Sequence, residues 1–155
     1  MSREGVGGVP IQSGALPWRV GKGNKPEVML VTGRRSKRWM IPKGWPVSGK
    51  SLAESAEQEA FEEAGIEGKV AAEPIGAFRH VKQHLRLSDM EVEILVHPMA
   101  VERELDDWPE RGEREREWFE LGEAAERVDS EELKELIVRF GNGLEQAAAG
   151  SRSGG

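Results

Sequence analysis

The stretch from Ser51 to Gly65 limits the possible folds of this chain more than any other. Ser51 followed three residues later by Glu54 has the spacing of a capping box, in which each side chain satisfies the other residue's backbone N–H. Leu52 to Ala64 contains neither Pro nor Gly. A helix of about three and a half turns follows. On a wheel of about 100° per residue, Leu52, Ala53, Ala56, Ala60 and Ala64 share a sector that should face a core. Glu63 falls inside that sector, Glu59 at its edge and Glu62 beyond it. A solvated acidic face belongs opposite the apolar stripe, so two of the three carboxylates are badly placed for solubility alone. Glu59 and Glu63 are also i,i+4 neighbours, and no Lys or Arg lies between Ser51 and Ile66 to offset their repulsion. A hard divalent cation such as Mg²⁺ or Mn²⁺ takes carboxylate oxygens, and one helical turn offers several of them. The alternative is a Glu-rich helix that is simply solvated.

Around this helix the pattern is that of strands. Trp18-Arg19-Val20 and Val28 to Thr32 flank the turn-rich Gly21 to Pro26, and a basic turn, Gly33 to Arg38, leads to Trp39-Met40-Ile41, which Pro42 halts. After the helix, Lys69 to Ala72, Ile75 to His80, and the alternating Val92, Ile94 and Val96 read as further strands. Pro109 and Gly112 make the acidic Glu102 to Glu117 stretch a long loop, and Glu117 to Leu121 a final strand. A second helix starts after a Ser130 cap, with Leu133, Leu136, Ile137 and Phe140 on one stripe, and Gly141-Asn142-Gly143 should end it. These elements predict one domain over 1–143 and a disordered tail over 144–155. Neither an internal repeat nor a linker to a second domain is present.

Charge divides the chain in two. Met1 to Lys50 holds ten Lys and Arg against Glu4 and Glu27, a balance of +8, while the rest carries −14, for a total of −6. Either the ends differ by chance, or a basic surface grips an anionic ligand beside an acidic cluster that holds cations. The chain has 155 residues and no Cys, which excludes disulfides, thiolate metal sites and cysteine nucleophiles. His80, His84 and His97 have no spacing that suggests zinc. No apolar run reaches the roughly 20 residues of a membrane span, and Met1-Ser-Arg-Glu-Gly does not open a targeting segment. The expectation is a soluble cytoplasmic protein with no membrane partner.

Gly44, Glu59, Ala60, Glu62, Glu63, Gly65 and Ile66 resemble the Nudix box, which reads glycine, five residues, glutamate, seven residues, then Arg-Glu-apolar-any-Glu-Glu-any-Gly-apolar. Two positions depart from it: Lys50 stands at the first glutamate and Gln58 at the arginine. Arg38 to Gly44, Leu105 to Trp108 and Arg116 to Phe119 are similar to the diphosphoinositol polyphosphate phosphohydrolase group of that family, whose members also cleave diadenosine polyphosphates. The resemblance covers roughly Gly14 to Phe140. It implies an α/β (α+β) Nudix fold, a mixed sheet sandwiched between helices, and hydrolysis of a diphosphate linkage by water with Mg²⁺ (or Mn²⁺) bound.

By the same resemblance Glu59 and Glu63 are the first metal ligands, and Glu62 is a further ligand or the base that orients water, so that Glu62 and Glu63 carry the catalysis. The family arginine helps orient the catalytic glutamate; Gln58 can still hydrogen-bond but brings no charge. Lys50 lowers the capacity for cations or reaches phosphate itself; the bland alternative is an exposed lysine before a helix. Arg34, Arg35, Lys37, Arg38 and Lys43 are placed to hold the phosphates of a small polyanionic substrate, though a solvated hairpin tip would look the same. Arg79, His80, Lys82 and Arg114 fall where the family makes substrate contacts. Trp39 and Trp45 bracket the box entrance, where a purine could stack, but packing is the better reading of Trp39; Trp18 and Trp118 read as core. The competing readings are an RNA 5′-pyrophosphohydrolase, which the basic segment permits, and a non-catalytic module that binds a phosphorylated ligand. The sequence carries no signal for an oligomeric state.

Overall fold

The computed structural model describes residues 8–82 and 88–153, with backbone alone for 145–153. Residues 1–7, His84 and the final Gly154-Gly155 of the tail lie outside the described residues. The strands are β1 (Ile11–Val20), β2 (Pro26–Thr32), β3 (Trp39–Met40), β4 (Lys43–Gly44), β5 (Ile66–Val70), β6 (Gly76–Lys82), β7 (Met90–Glu104) and β8 (Arg116–Glu120). The helices are α1 (Leu52–Glu59), continued by a π-helical turn over Ala60–Ala64, then α2 (Leu121–Arg127) and α3 (Glu131–Ser153).

One mixed sheet organises the molecule. Its central pair, β1 and β7, is parallel, and β2, β4, β5, β6 and β8 join antiparallel around it. The alternation of Val92, Ile94 and Val96 buries all three completely on one face. With Leu16, Val28, Leu30 and Phe78 they meet Leu133, Leu136 and Ile137 of α3 and Ala124 of α2. The other face presents Ala15, Met29, Val31 and Met99 to Ala56, Ala60 and Ala64 of the first helix. Small alanines bring that helix close to the sheet, and the sheet is sandwiched between helices as expected.

The capping box forms: the Ser51 hydroxyl accepts from the Glu54 N–H at 3.1 Å while Ser51 N–H donates to the Glu54 carboxylate at 2.8 Å. Gly65 ends the helix at φ +64°, the left-handed conformation that glycine adopts without strain.

Four expectations need correction. The acidic segment Glu102 to Glu117 is not all loop: β7 runs to Glu104 because β5 supplies ladder partners, Ile66 opposite Glu104 and Glu67 opposite Arg103, and β8 starts at Arg116. Leu121 opens α2 rather than closing a strand. Gly141 to Gly143 does not end the last helix, which continues to Ser153 through most of the segment expected to be a disordered tail. Gly141 is there for closeness, since a Cβ on it would strike the Leu121 side chain of α2. Finally, α1 does not stay regular but widens into the π-turn that carries Glu62 and Glu63. Such turns occur often at functional sites.

Candidate active site

Two short elements bring the carboxylates together. β4 pairs with β1, Ser13 opposite Gly44 and Gly14 opposite Lys43, and so lies under the end of the first helix. Gly44 has no side chain, and the Glu59 carboxyl occupies the space a Cβ would need. The Lys43 N–H donates to Glu63 Oε1 at 3.3 Å. Glu63 is only 7% exposed, as its place in the apolar stripe predicted.

The loop between β7 and β8 closes the other side. Arg114 reaches Glu63 Oε2 at 3.3 Å through Nη2, donates from Nε to Glu110 Oε1 at 2.9 Å, and donates from Nη1 to the Thr32 carbonyl at 3.1 Å. The loop is tied to the helix end. Leu105 N–H donates to the Gly65 carbonyl at 2.8 Å and Glu110 N–H to the Glu62 carbonyl at 3.1 Å. Arg116 donates to the carbonyls of Ala64, Gly65 and Leu105 while its guanidinium lies 3.9 Å from the Trp108 ring centre. That ring fills the space beside Gly65.

The charges in this site are not balanced. Burial pushes the Glu59 carboxyl up to about 8, helped by the negative charges of Glu63, Glu62 and Glu110 and opposed by Lys43. Glu63 is pushed up to about 7, again mainly by burial, with Arg114 and Lys43 pulling it back. Burial lowers the Lys43 ammonium from the usual lysine value, with Lys82 and Arg114 adding to the effect and Glu63 and Glu59 opposing it. His80 is lowered by burial and by the charges of Lys43 and Lys82. Carboxyls with raised values and cations with lowered ones, side by side, are what a binding or catalytic site produces.

Glu59 has neither a hydrogen bond nor an ion pair from its carboxyl to another described residue. Among the described residues no three Asp, Glu or His side chains already converge on one point. The donor set nevertheless fits a divalent ion: all are hard carboxylate oxygens, Glu59 is unpartnered among the described residues, and a cation beside Glu59 and Glu63 would offset the burial that raises both and the negative charge of Glu63 that adds to the rise of Glu59. Glu62 is held differently, its Oε1 accepting from Gln58 Nε2 at 3.0 Å.

The basic residues divide. The charges of Lys43 and Lys82 both act on His80, that of Lys82 acts on Lys43, and the Lys82 ammonium lies 5.3 Å from the ring centre of the exposed Trp45. Arg34 stands at the rim, 3.5 Å from Glu113 and 3.9 Å from Glu110, and Arg35 and Lys37 stay exposed on the same turn. Arg38 turns away to Asp129 at 3.2 Å. Arg79 pairs with Glu91 at 3.0 Å. Arg114 is engaged by protein oxygens. Trp39 packs edge-on against Phe119 and Trp18 against Phe140. Trp108 and Arg116 stand in the two segments that resemble the family outside the box, but their mutual contact is not legible there; the sequence leaves a glutamate of the Glu102 to Glu117 loop open as a candidate base, and the fold brings Glu110 of that loop to the site.

Compared with models of known protein families, the chain matches none. Nudix hydrolase 12, mitochondrial, of Arabidopsis thaliana is 31% identical to it over 146 residues, which cover 83% of this chain and 70% of that protein. Diphosphoinositol polyphosphate phosphohydrolase 3-beta of Bos taurus is 32% identical over 101 residues, 63% of this chain and 57% of that protein. The chain spans 65, 54 and 61% of three further A. thaliana Nudix hydrolases. Among solved structures, a C. elegans Ap4A hydrolase binary complex superposes with a TM-score of 0.65 at 20% identity, covering 88% of this chain and 98% of that one, a likeness of fold. With three glutamates at the box spacing on one helix end, and kinship that runs through most of its length, the chain belongs to the Nudix hydrolase family.

Proposed function

We propose that this protein hydrolyses a diphosphate linkage in a small polyphosphorylated molecule, a diadenosine polyphosphate or a diphosphoinositol polyphosphate, with Mg²⁺ (or Mn²⁺) as cofactor. The observation that carries this reading is the buried carboxyl pair, Glu59 and Glu63, short of positive charge and set beside Lys43, His80 and Lys82. The names of the bovine relative and of the nematode structure support the choice of substrates.

Glu59 and Glu63, with Glu62 or Glu110 alongside, would hold the ion. When bound it supplies charge stabilisation to the phosphate oxygens and acidifies a water. The protein's own groups do the rest. Lys43 and Arg114 fix the two oxygens of Glu63, so its direction is set before substrate arrives. Glu62, with Oε1 on Gln58, has Oε2 without a partner among the described residues and is placed to take the proton of the attacking water. As that water's oxygen bonds to phosphorus, the bridging P–O bond breaks and a phosphate product leaves. Lys43, Lys82 and the rim cations Arg34 and Arg35 neutralise the remaining phosphates, and the exposed Trp45 offers a ring face to an adenine or an apolar edge to inositol. Arg38 and Arg79, which point to Asp129 and Glu91, contribute less to this surface.

The test is product release from diadenosine tetraphosphate and from a diphosphoinositol polyphosphate in parallel, with Mg²⁺ and with chelator. Metal-dependent cleavage of either supports the reading and names the substrate class. Tight binding without turnover of any diphosphate contradicts it in favour of a binding module.

A further inference from the structure

We propose that Lys50 and Gln58 form a donor relay that positions Glu62, a device that rests on Glu62 being a working carboxylate of the site. The Lys50 ammonium donates to Gln58 Oε1 at 2.8 Å, and Gln58 Nε2 donates to Glu62 Oε1 at 3.0 Å. A side-chain amide has an accepting end and a donating end of nearly the same shape, and its neighbours decide which way it faces. Lysine has donors and no acceptor. Only the oxygen end of Gln58 can meet Lys50, and the NH₂ end is thereby turned onto Glu62. Lys50 never touches Glu62; it acts by orienting the amide between them.

The backbone is arranged to make this contact. The Lys50 N–H donates to the Val47 carbonyl at 3.1 Å, closing a turn in which Gly49 has φ +81°, and Val47 N–H is tied to the Ser55 hydroxyl at 2.9 Å. The turn is thus anchored to the helix, and Lys50 leaves it immediately before the Ser51 cap. Gln58 and Glu62 are i,i+4 on the same helix face. Lys50 and Gln58 are also the two positions at which the chain departs from the box pattern, and they depart together, with the positive charge now on the residue before the helix. The relay hands Glu62 a neutral donor. One carboxylate oxygen is pinned, and the full charge of Glu62 is kept for the site.

The polarity of the chain makes the proposal testable. Lys50→Glu puts an acceptor where the donor stood, so Gln58 can bond to it only by turning its NH₂ away from Glu62, and one of the two contacts is lost. Gln58→Glu keeps the shape and strengthens the contact with Lys50, but presents a carboxylate to Glu62. Lys50→Glu combined with Gln58→Arg restores an ion pair and a donor to Glu62 by different groups. The measurements are Mn²⁺ affinity of the free protein by electron paramagnetic resonance, and kcat and KM on diadenosine tetraphosphate, with melting curves to verify folding. Each single variant is expected to lose about tenfold in kcat and in Mn²⁺ affinity with little change in KM, and the double variant to recover to within about threefold of the parent. A double variant as impaired as Lys50→Glu in both readouts, or single variants equal to the parent in both, overturns the relay. If the parent hydrolyses nothing but Mn²⁺ affinity follows the stated order, the relay stands and the proposed activity falls.

Discussion

Glu59 and Glu63 are the buried carboxyls on which the proposed chemistry rests, and their protonation makes them measurable without a substrate. Unfolded, each titrates near 4.5; folded, they hold their protons up to about 8 and about 7. Between those values the folded state binds more protons than the unfolded chain, so stability falls as pH rises. The metal-free protein is therefore expected to be most resistant to heat below about pH 5 as far as this pair is concerned, and to lose Tm progressively up to about pH 8. Saturating Mg²⁺ should flatten that loss, because the ion binds the ionised form. Melting curves from pH 5 to 8 in EDTA and in Mg²⁺ check this, and a curve in EDTA that ignores pH contradicts it. Gly44→Ala tests the same pair from below. The added methyl displaces the Glu59 carboxyl, which is the flexible end of a side chain, so Tm should change little while turnover drops about 10–100-fold. The burial of Glu63 was legible in the sequence because its place on the wheel does not depend on tertiary detail. The contribution of Glu110 was not, since it comes from a loop whose path is set by contacts to Gly65, Glu62 and Trp108.

At the level of elements, the site depends on how the loop before β8 is fastened to the first helix. Arg116 alone satisfies three carbonyls, two at the helix end and one at Leu105, and stacks on Trp108. Arg116→Ala should cost about 2–3 kcal/mol of stability by denaturant unfolding and lower activity as well, because the same loop presents Arg114 and Glu110. If activity survives intact, the loop does not need this anchor. The elements themselves were largely readable: the capping box, the hairpin of β1 and β2, and the alternation in β7 all declare themselves over a few residues. What escaped was decided between elements. The end of β7 is held by its pairing to β5, Gly141 serves a close approach to Leu121 rather than a helix stop, and the π-turn adjusts the helix to its neighbours. No single-segment pattern contains those contacts.

Over the whole molecule, a net charge of −6 coexists with cations around the carboxylates: Lys43 feels the charge of Lys82 of β6, Arg34 reaches Glu110, and Arg35 and Lys37 are exposed on the same turn as Arg34. A polyanionic substrate should be attracted to those cations against the overall charge, so kcat/KM is expected to fall as ionic strength is raised from about 0.01 to 0.15 M, where the screening length shrinks from about 30 to about 8 Å. Lys82→Ala should raise KM more than it lowers kcat; salt-independent kinetics would show that these cations do not attract the substrate. In the proposed function the buried carboxyls of the first helix hold a divalent ion for phosphate hydrolysis. This is tested most directly by measuring Mg²⁺-dependent turnover of diadenosine tetraphosphate together with Mn²⁺ binding, for the parent and for Glu63→Gln. Glu63→Gln is expected to keep its fold while losing at least about a hundredfold in turnover together with its high-affinity Mn²⁺ binding. A folded Glu63→Gln protein with ordinary turnover would contradict it.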